Sequence, residues 1–184
     1  MSENAFNKPL DAPCLARLQA RCRQTQERVY RMFVDPAWNL AIRLTGCDAS
    51  AWDAVQEAFV QAFRQVRQLR DETAFGFWLR RIVVNQVMNG HRLRSRESGQ
   101  MPTDRSGGSP DPAWLDLEQA LAALDPHDRM VLWLHDAEGM THEEIASLAG
   151  KTVSWSKTRL SRTRARMRQT LDRETEPTPR LIRL

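Results

Sequence analysis

The sequence predicts an all-α protein: two small helical domains joined by a flexible linker. Apolar residues recur at helical spacing through both halves of a 184-residue chain, which is long enough for one or two small domains. Between the halves, residues 97–112 (ESGQMPTDRSGGSPDP) carry three prolines and three glycines with no apolar periodicity. A helix, tight turn and basic helix then close the second half. The predicted division is an N-terminal extension, partly helical, over 1–27; a helical domain over 28–96; the linker; a helix-turn-helix domain over 113–172; and a tail over 173–184.

In order, Met1–Pro13 is assigned no role, and a helix runs from Leu15 to Arg31 with Leu15, Leu18, Cys22, Val29 and Met32 loosely periodic. Pro36 resets the backbone, after which Trp38, Leu40, Ile42 and Leu44 continue in helix to Thr45, and Gly46 ends it. In the next helix Val55, Phe59, Phe63 and Val66 form an apolar stripe, and Asp53, Gln56 and Glu57 lie away from it. Thr73 is an N-cap candidate for a helix whose stripe is Phe75, Trp78, Leu79, Ile82, Val83 and Val87. Its opposite side shows Arg80, Arg81, Asn85 and Asn89, and it ends in a basic run from His91 to Arg96.

Beyond the linker, Trp114, Leu117, Leu121 and Leu124 mark a helix over 113–124, and Pro126 starts the helix of Met130, Val131, Trp133 and Leu134. Thr141 with Glu144 makes a capping box, Ile145 and Leu148 share a face, and Gly150 stands where a left-handed cap is wanted. A last helix begins near Val153 or Ser154; between Lys151 and Arg173 it holds eight basic residues and one acid, Asp172. Such a helix can approach a phosphate backbone and present side chains to base edges in a major groove.

Composition narrows the function classes. A net charge of +4 and a pI near 9.4, unevenly spread, point to a polyanionic partner. Cys14, Cys22 and Cys47 are odd in number and lack framework spacing, so free thiols in a reducing compartment are expected. No Cys-x-x-Cys occurs, and His142-Glu143 lacks a second histidine because Ala146 occupies its place. No metal, cofactor or catalysis is expected. The N-terminus has no basic start before an apolar run, and no apolar stretch approaches a membrane span. A cytoplasmic protein without a membrane partner is the expectation.

The run Ala74–Asn85 (AFGFWLRRIVVN) resembles region 2.3–2.4 of bacterial extracytoplasmic-function (ECF) sigma factors of the sigma-70 family, and Asp53–Phe59 (DAVQEAF) resembles their region 2.2. Leu121–Arg168, with Leu124-Asp125-Pro126 and the helix-turn-helix, resembles region 4. The resemblance covers roughly 28–96 and 113–172, with no region 1.1 or region 3 apparent. It implies an alternative sigma factor that brings core RNA polymerase to −10 and −35 promoter elements, with the linker near the polymerase cleft.

The same resemblance implies roles. Asp53, Gln56 and Glu57 would dock on the β′ clamp helices, and region 4 would meet the β flap. Asn85 and the loop Leu69–Thr73 would read an extruded −10 base, while Arg80, Arg81, Arg92 and Arg94 hold the nearby backbone. Ser154, Trp155, Lys157, Thr158, Ser161 and Arg162 would face the −35 major groove, with Arg159 and Arg164 serving phosphates or packing. Two departures stand out. Ser156 replaces a usually apolar residue and Trp155 a small polar one, implying a slightly rotated helix. Ser50-Ala51-Trp52-Asp53 replaces a more acidic run, so two carboxylates are missing from the docking surface. A subset of the family uses a Ser/Thr kinase to restore that charge, which makes Ser50 a phosphorylation candidate; alternatively Ser50 is merely an N-cap. An anti-sigma factor is the other expected controller. Two rival readings remain: a stand-alone operator-binding regulator, and a helical adaptor or anti-sigma decoy.

Overall fold

A computed structural model describes residues 6–97, 120–121 and 123–175, and the chain divides into two compact units, Met1–Ser106 and Gly107–Leu184. Among the described residues every regular element is helical, and no helix is long and apolar enough to cross a membrane. Cys14, Cys22 and Cys47 are free. The linker from residue 98 and most of the helix expected over 113–124 lie outside the described residues, although Ala120 and Leu121 are helical.

The first unit packs α1 (Ala12–Gln19), α2 (Arg23–Thr45), α3 (Asp48–Gln65) and α4 (Phe75–Glu97). Two short 3-10 turns, Val66–Gln68 and Glu72–Ala74, join α3 to α4. Val29, Phe33, Ala37 and Leu40 on α2 recur every three or four residues and are almost wholly buried. They meet Val55, Ala58 and Ala62 of α3 and Phe75, Leu79 and Val83 of α4, which are likewise buried.

Pro36 does not reset the backbone. It lies inside a continuous α2. A proline there removes one hydrogen bond and costs about 3 kcal/mol, but Phe33 and Ala37, both fully buried, hold the two flanking turns to one core. The actual break comes earlier, at Arg21, whose φ of 59° is left-handed and closes α1 with Cys22 N–H donating to the Arg17 carbonyl at 3.0 Å.

Nor is the stretch before Pro13 idle. The rings of Phe6 and Phe33 stack with centroids 6.5 Å apart, Leu10 is buried, and Asp11 caps α1 by accepting from Cys14 N–H. The Phe6 carbonyl lies so close to α4 that a Cβ on Gly76 would stand 1.8 Å from it, so only glycine fits.

In the second unit, α5 (Pro126–Asp136), α6 (His142–Ala149) and α7 (Val153–Thr175) pack around Met130, Leu134, Met140, Ile145 and Leu160. The expected capping box is complete: Glu144 N–H donates to Thr141 Oγ1 at 3.2 Å and Thr141 N–H to Glu144 Oε2 at 2.8 Å. Gly150, at φ 63°, turns the chain into α7, and Thr152 Oγ1 accepts from Trp155 N–H.

Candidate nucleic-acid interface

Helix α7 has two sides. Ser156, Leu160, Thr163 and Met167 are buried at helical spacing, which leaves Ser154, Lys157, Thr158, Ser161 and Arg162 exposed together on the other side. The buried stripe runs in phase through Ser156, so the hydroxyl itself takes the inward position. Its partner is His142 Nδ1, 3.0 Å away on α6. Trp155, half-buried, meets His127 edge-on at 6.1 Å, with the Arg159 guanidinium 5.4 Å from its ring centre.

The arginines of α7 divide by partner. Arg159 donates to Asp128 at 2.5 Å and to Asp125 at 2.9 Å, so it serves packing. Arg164 grips both oxygens of Asp136, at 2.5 and 3.1 Å. Lys157 and Arg162 form no ion pair among the described residues, so positive charge is left for an anion on the exposed side.

Sequence reasoning missed the scaffold behind this face. Arg129, buried, donates from Nε to the Leu121 carbonyl at 2.8 Å, and burial lowers its pKa. His135 stacks on His142 at 4.6 Å and lies 2.8 Å from Asp136 through Nδ1. Burial, then the charges of His135 and Lys157, hold the His142 pKa below the ordinary histidine value. Only the acids of Asp125-Pro126-His127-Asp128 hinted at this arrangement, since a cap and an ion pair look alike in sequence.

In the first unit, Phe77, Arg81, Asn85, Asn89 and Arg92 fall on one line along α4, each three or four residues from the last. Phe77, 41% exposed, belongs to neither the apolar stripe nor the polar side expected of this helix, and its ring lies one turn from Arg81. Arg92 donates to Asn89 Oδ1. Arg80 departs from the expectation of an opposite-side residue: it is 4% exposed, with its guanidinium 5.3 Å from the Phe77 ring centre. It shares a helix face with buried Val84 and Val87. Arg94 is half-buried.

The loop before α4 is shaped by Asp71, not Thr73. Asp71 Oδ1 accepts from Thr73 N–H at 2.9 Å and from the Thr73 hydroxyl at 2.7 Å, and these bonds lower its pKa. On α3, Asp53, Gln56 and Glu57 are exposed as expected. Cys47 occupies the N-cap position and Ser50 lies half-buried inside the first turn, so Ser50 is no cap. Trp52 is 42% exposed and packs on Trp38 at 6.1 Å.

Comparison with known proteins gives the family. The family model for Sigma-70 region 2 matches residues 29–97, and that for Sigma-70, region 4 matches residues 114–167. The ECF RNA polymerase sigma-E factor of Escherichia coli K12 is 31% identical over 144 residues, covering 68% of this chain and 73% of that protein. The chain belongs to the ECF branch of the sigma-70 family. Other relatives of this ECF sigma factor include SigE of Mycolicibacterium smegmatis, 30% identical over 83% of the chain, and the probable sigma factor RfaY of Xanthomonas campestris, 32% identical over 83%. The chain spans 63% and 42% of the lengths of those two. In fold, the sigma factor RpoE of Bartonella quintana, solved with the anti-sigma factor NepR, is similar at TM-score 0.66 and 24% identity, covering 79% of this chain and 96% of that one. CnrH, solved with the cytosolic domain of CnrY, is similar at TM-score 0.60 and 22% identity, covering 94% of this chain and all of CnrH.

Proposed function

We propose that this ECF sigma factor is a promoter-recognition subunit that joins core RNA polymerase and directs initiation without performing the chemistry. In this reading the exposed face of α7 enters the −35 major groove, with Ser154, Lys157, Thr158, Ser161 and Arg162 reaching bases and phosphates. Trp155, held by His127 and Arg159, lies at its edge. The face of α4 and the loop Leu69–Thr73 take an extruded −10 base, with Asn85 reading its edge. Arg81 and Arg92 serve the backbone, and Phe77 offers a stacking surface. Arg80 acts through packing and Arg94 from a half-buried position. Asp53, Gln56 and Glu57 dock on the polymerase β′ clamp helices, and the second unit meets the β flap.

One observation carries the reading: on α7 the acids neutralise Arg159 and Arg164, while Lys157 and Arg162 stay open on the side opposite the core. A DNA-reading helix needs that division. Control belongs to the same proposal. Phosphate on Ser50, in the first turn of α3, would add about −1.5 to −2 charge near the helix dipole's positive end beside Asp53. An anti-sigma factor covering the polymerase face is the other form of control; the RpoE structure, solved with an anti-sigma factor on a protein of this fold, supports it.

The test is co-purification with core polymerase and promoter-specific transcription, using the chain and its Ser50→Asp and Asp53→Lys/Glu57→Lys variants. Loss of polymerase binding in the charge-reversed variant supports the docking face. Activity confined to Ser50→Asp supports charge control. Duplex binding without polymerase binding by any form would favour an operator-binding regulator.

A further inference from the structure

The loop that the proposed function assigns to the −10 base is tied to a helix outside the matched region 2, which begins at residue 29. Gln19, the last residue of α1, sends its side-chain amide to the Leu69 carbonyl at 2.9 Å and to the Val66 carbonyl at 3.4 Å. The link is returned, for Arg67 Nε donates to the Gln19 carbonyl at 3.3 Å. Val66 and Leu69 bracket the 3-10 turn at the end of α3. The Val66 carbonyl already accepts from Leu69 N–H at 3.1 Å, and the Gln19 amide joins it there and reaches the Leu69 carbonyl, so a side-chain donor fixes where the turn releases the chain. Leu69, with φ −79° and ψ 123°, then starts the extended run that Asp71 closes.

The other end of the brace is firm. Leu15 and Leu18 of α1 are buried, Asp11 caps the helix start, and the left-handed Arg21 closes its end. Gln19 therefore hangs from a fixed support and holds the residue at which the chain enters the Leu69–Thr73 loop.

We infer that Gln19 is a positioning residue for the Leu69–Thr73 loop, setting the selectivity for the single-stranded base at the −10 element. The inference rests on the assignment of that loop to the −10 base. A loop free to shift by an ångström admits several bases about equally; a loop held at its first carbonyl presents one pocket. α1 thus contributes to specificity without touching DNA.

The test uses core polymerase with the full chain on a template library randomised across the −35 and −10 segments, with transcripts sequenced. Gln19→Ala removes the amide. Gln19→Glu keeps its shape but sets acceptors against carbonyls. Both variants are expected to lower base discrimination in the −10 segment roughly fivefold, the equivalent of one uncharged hydrogen bond. Preference at the −35 segment and affinity for polymerase stay unchanged, and amide exchange over Leu69–Thr73 quickens in the free chain. A uniform fall in transcription with base preference intact would mean a purely structural role and overturn the inference alone, as would Gln19→Glu behaving like the parent. A parent holoenzyme with no preference in the −10 segment would overturn the loop assignment and this inference together.

Discussion

His142 Nδ1 and Ser156 Oγ, 3.0 Å apart, join the two helices of the helix-turn-helix through a residue that solvent does not reach. A serine in a core position is costly unless its hydroxyl is satisfied. Ser156→Ala leaves the His142 nitrogen to water, and urea unfolding of the full chain should show a loss of about 1 kcal/mol. Ser156→Leu, which overfills the site, should lose about 1–3 kcal/mol. A more stable Ser156→Ala chain would count against the bond's contribution.

The same cluster makes stability depend on pH. The pKa of His142 is lowered by burial and by the positive charges of His135, Lys157 and Arg164, against the opposing pull of Glu143, and that of His127 is lowered by burial despite Asp125. Groups whose pKa is lower in the folded chain bind fewer protons there, so stability is complete above the unfolded histidine value of 6.5 and falls as pH drops from it toward the folded values. Asp136 adds a second loss below 3.8: burial raises its pKa, but bonds from Arg164 and His135 outweigh that and hold it low. Thermal melts should show a flat Tm above about pH 7 and a decline below about 6.5. The His127→Gln/His142→Gln double variant should lose most of the upper slope, and an undiminished slope would refute the assignment.

Arg159 and Arg162, three positions apart on α7, should fail in opposite ways. Arg159→Ala leaves the carboxylate of Asp128, which is 8% exposed, with only the 3.4 Å contact from Arg166, and should destabilise the chain by about 1–3 kcal/mol. Arg162→Ala should leave unfolding unchanged and weaken duplex binding, reducing the slope of log affinity against log salt by about 1. Urea titrations and binding isotherms at several salt concentrations separate the two effects.

Gly76→Ala drives a methyl into the Phe6 carbonyl and should destabilise the chain by about 1–3 kcal/mol. In a chain lacking residues 1–10 the carbonyl is gone, and only the Phe33 ring, 3.2 Å from the added carbon, must give by a few tenths of an ångström. There alanine, the better helix former by about 1 kcal/mol, should be neutral or favourable. A double-mutant cycle in urea measures the coupling, and equal costs in both backgrounds would rule out the close approach as the reason for glycine.

What could be read in advance was local. The capping box of Thr141 and Glu144, the turn at Gly150 and the exposed side of α7 each follow from residues a few positions apart. The distant contacts were not legible. Pro36 argues for a break when only its neighbours are considered, and only the shared burial of Phe33 and Ala37 reveals why the helix continues. Arg80 sits beside Arg81 in sequence, yet one faces the core and the other solvent. Gln19 carries no pattern at all, because its partners are carbonyls about fifty positions later, and backbone groups leave no mark in side-chain spacing.

The seat of Phe6 also sets an order of events in synthesis. Its carbonyl rests against Gly76 and its ring against Phe33, so the segment leaves the ribosome long before the surface that receives it exists. A nascent chain halted between α3 and α4 therefore lacks the Phe75, Leu79 and Val83 side of the core, and Phe6 and Phe33 have only each other and α3 to pack on. Closure must await a contact of high sequence separation, the kind that slows folding and invites chaperones. The helices of the second unit, whose partners are near in sequence, can form as they emerge. The first unit thus stays incomplete until α4 has been made.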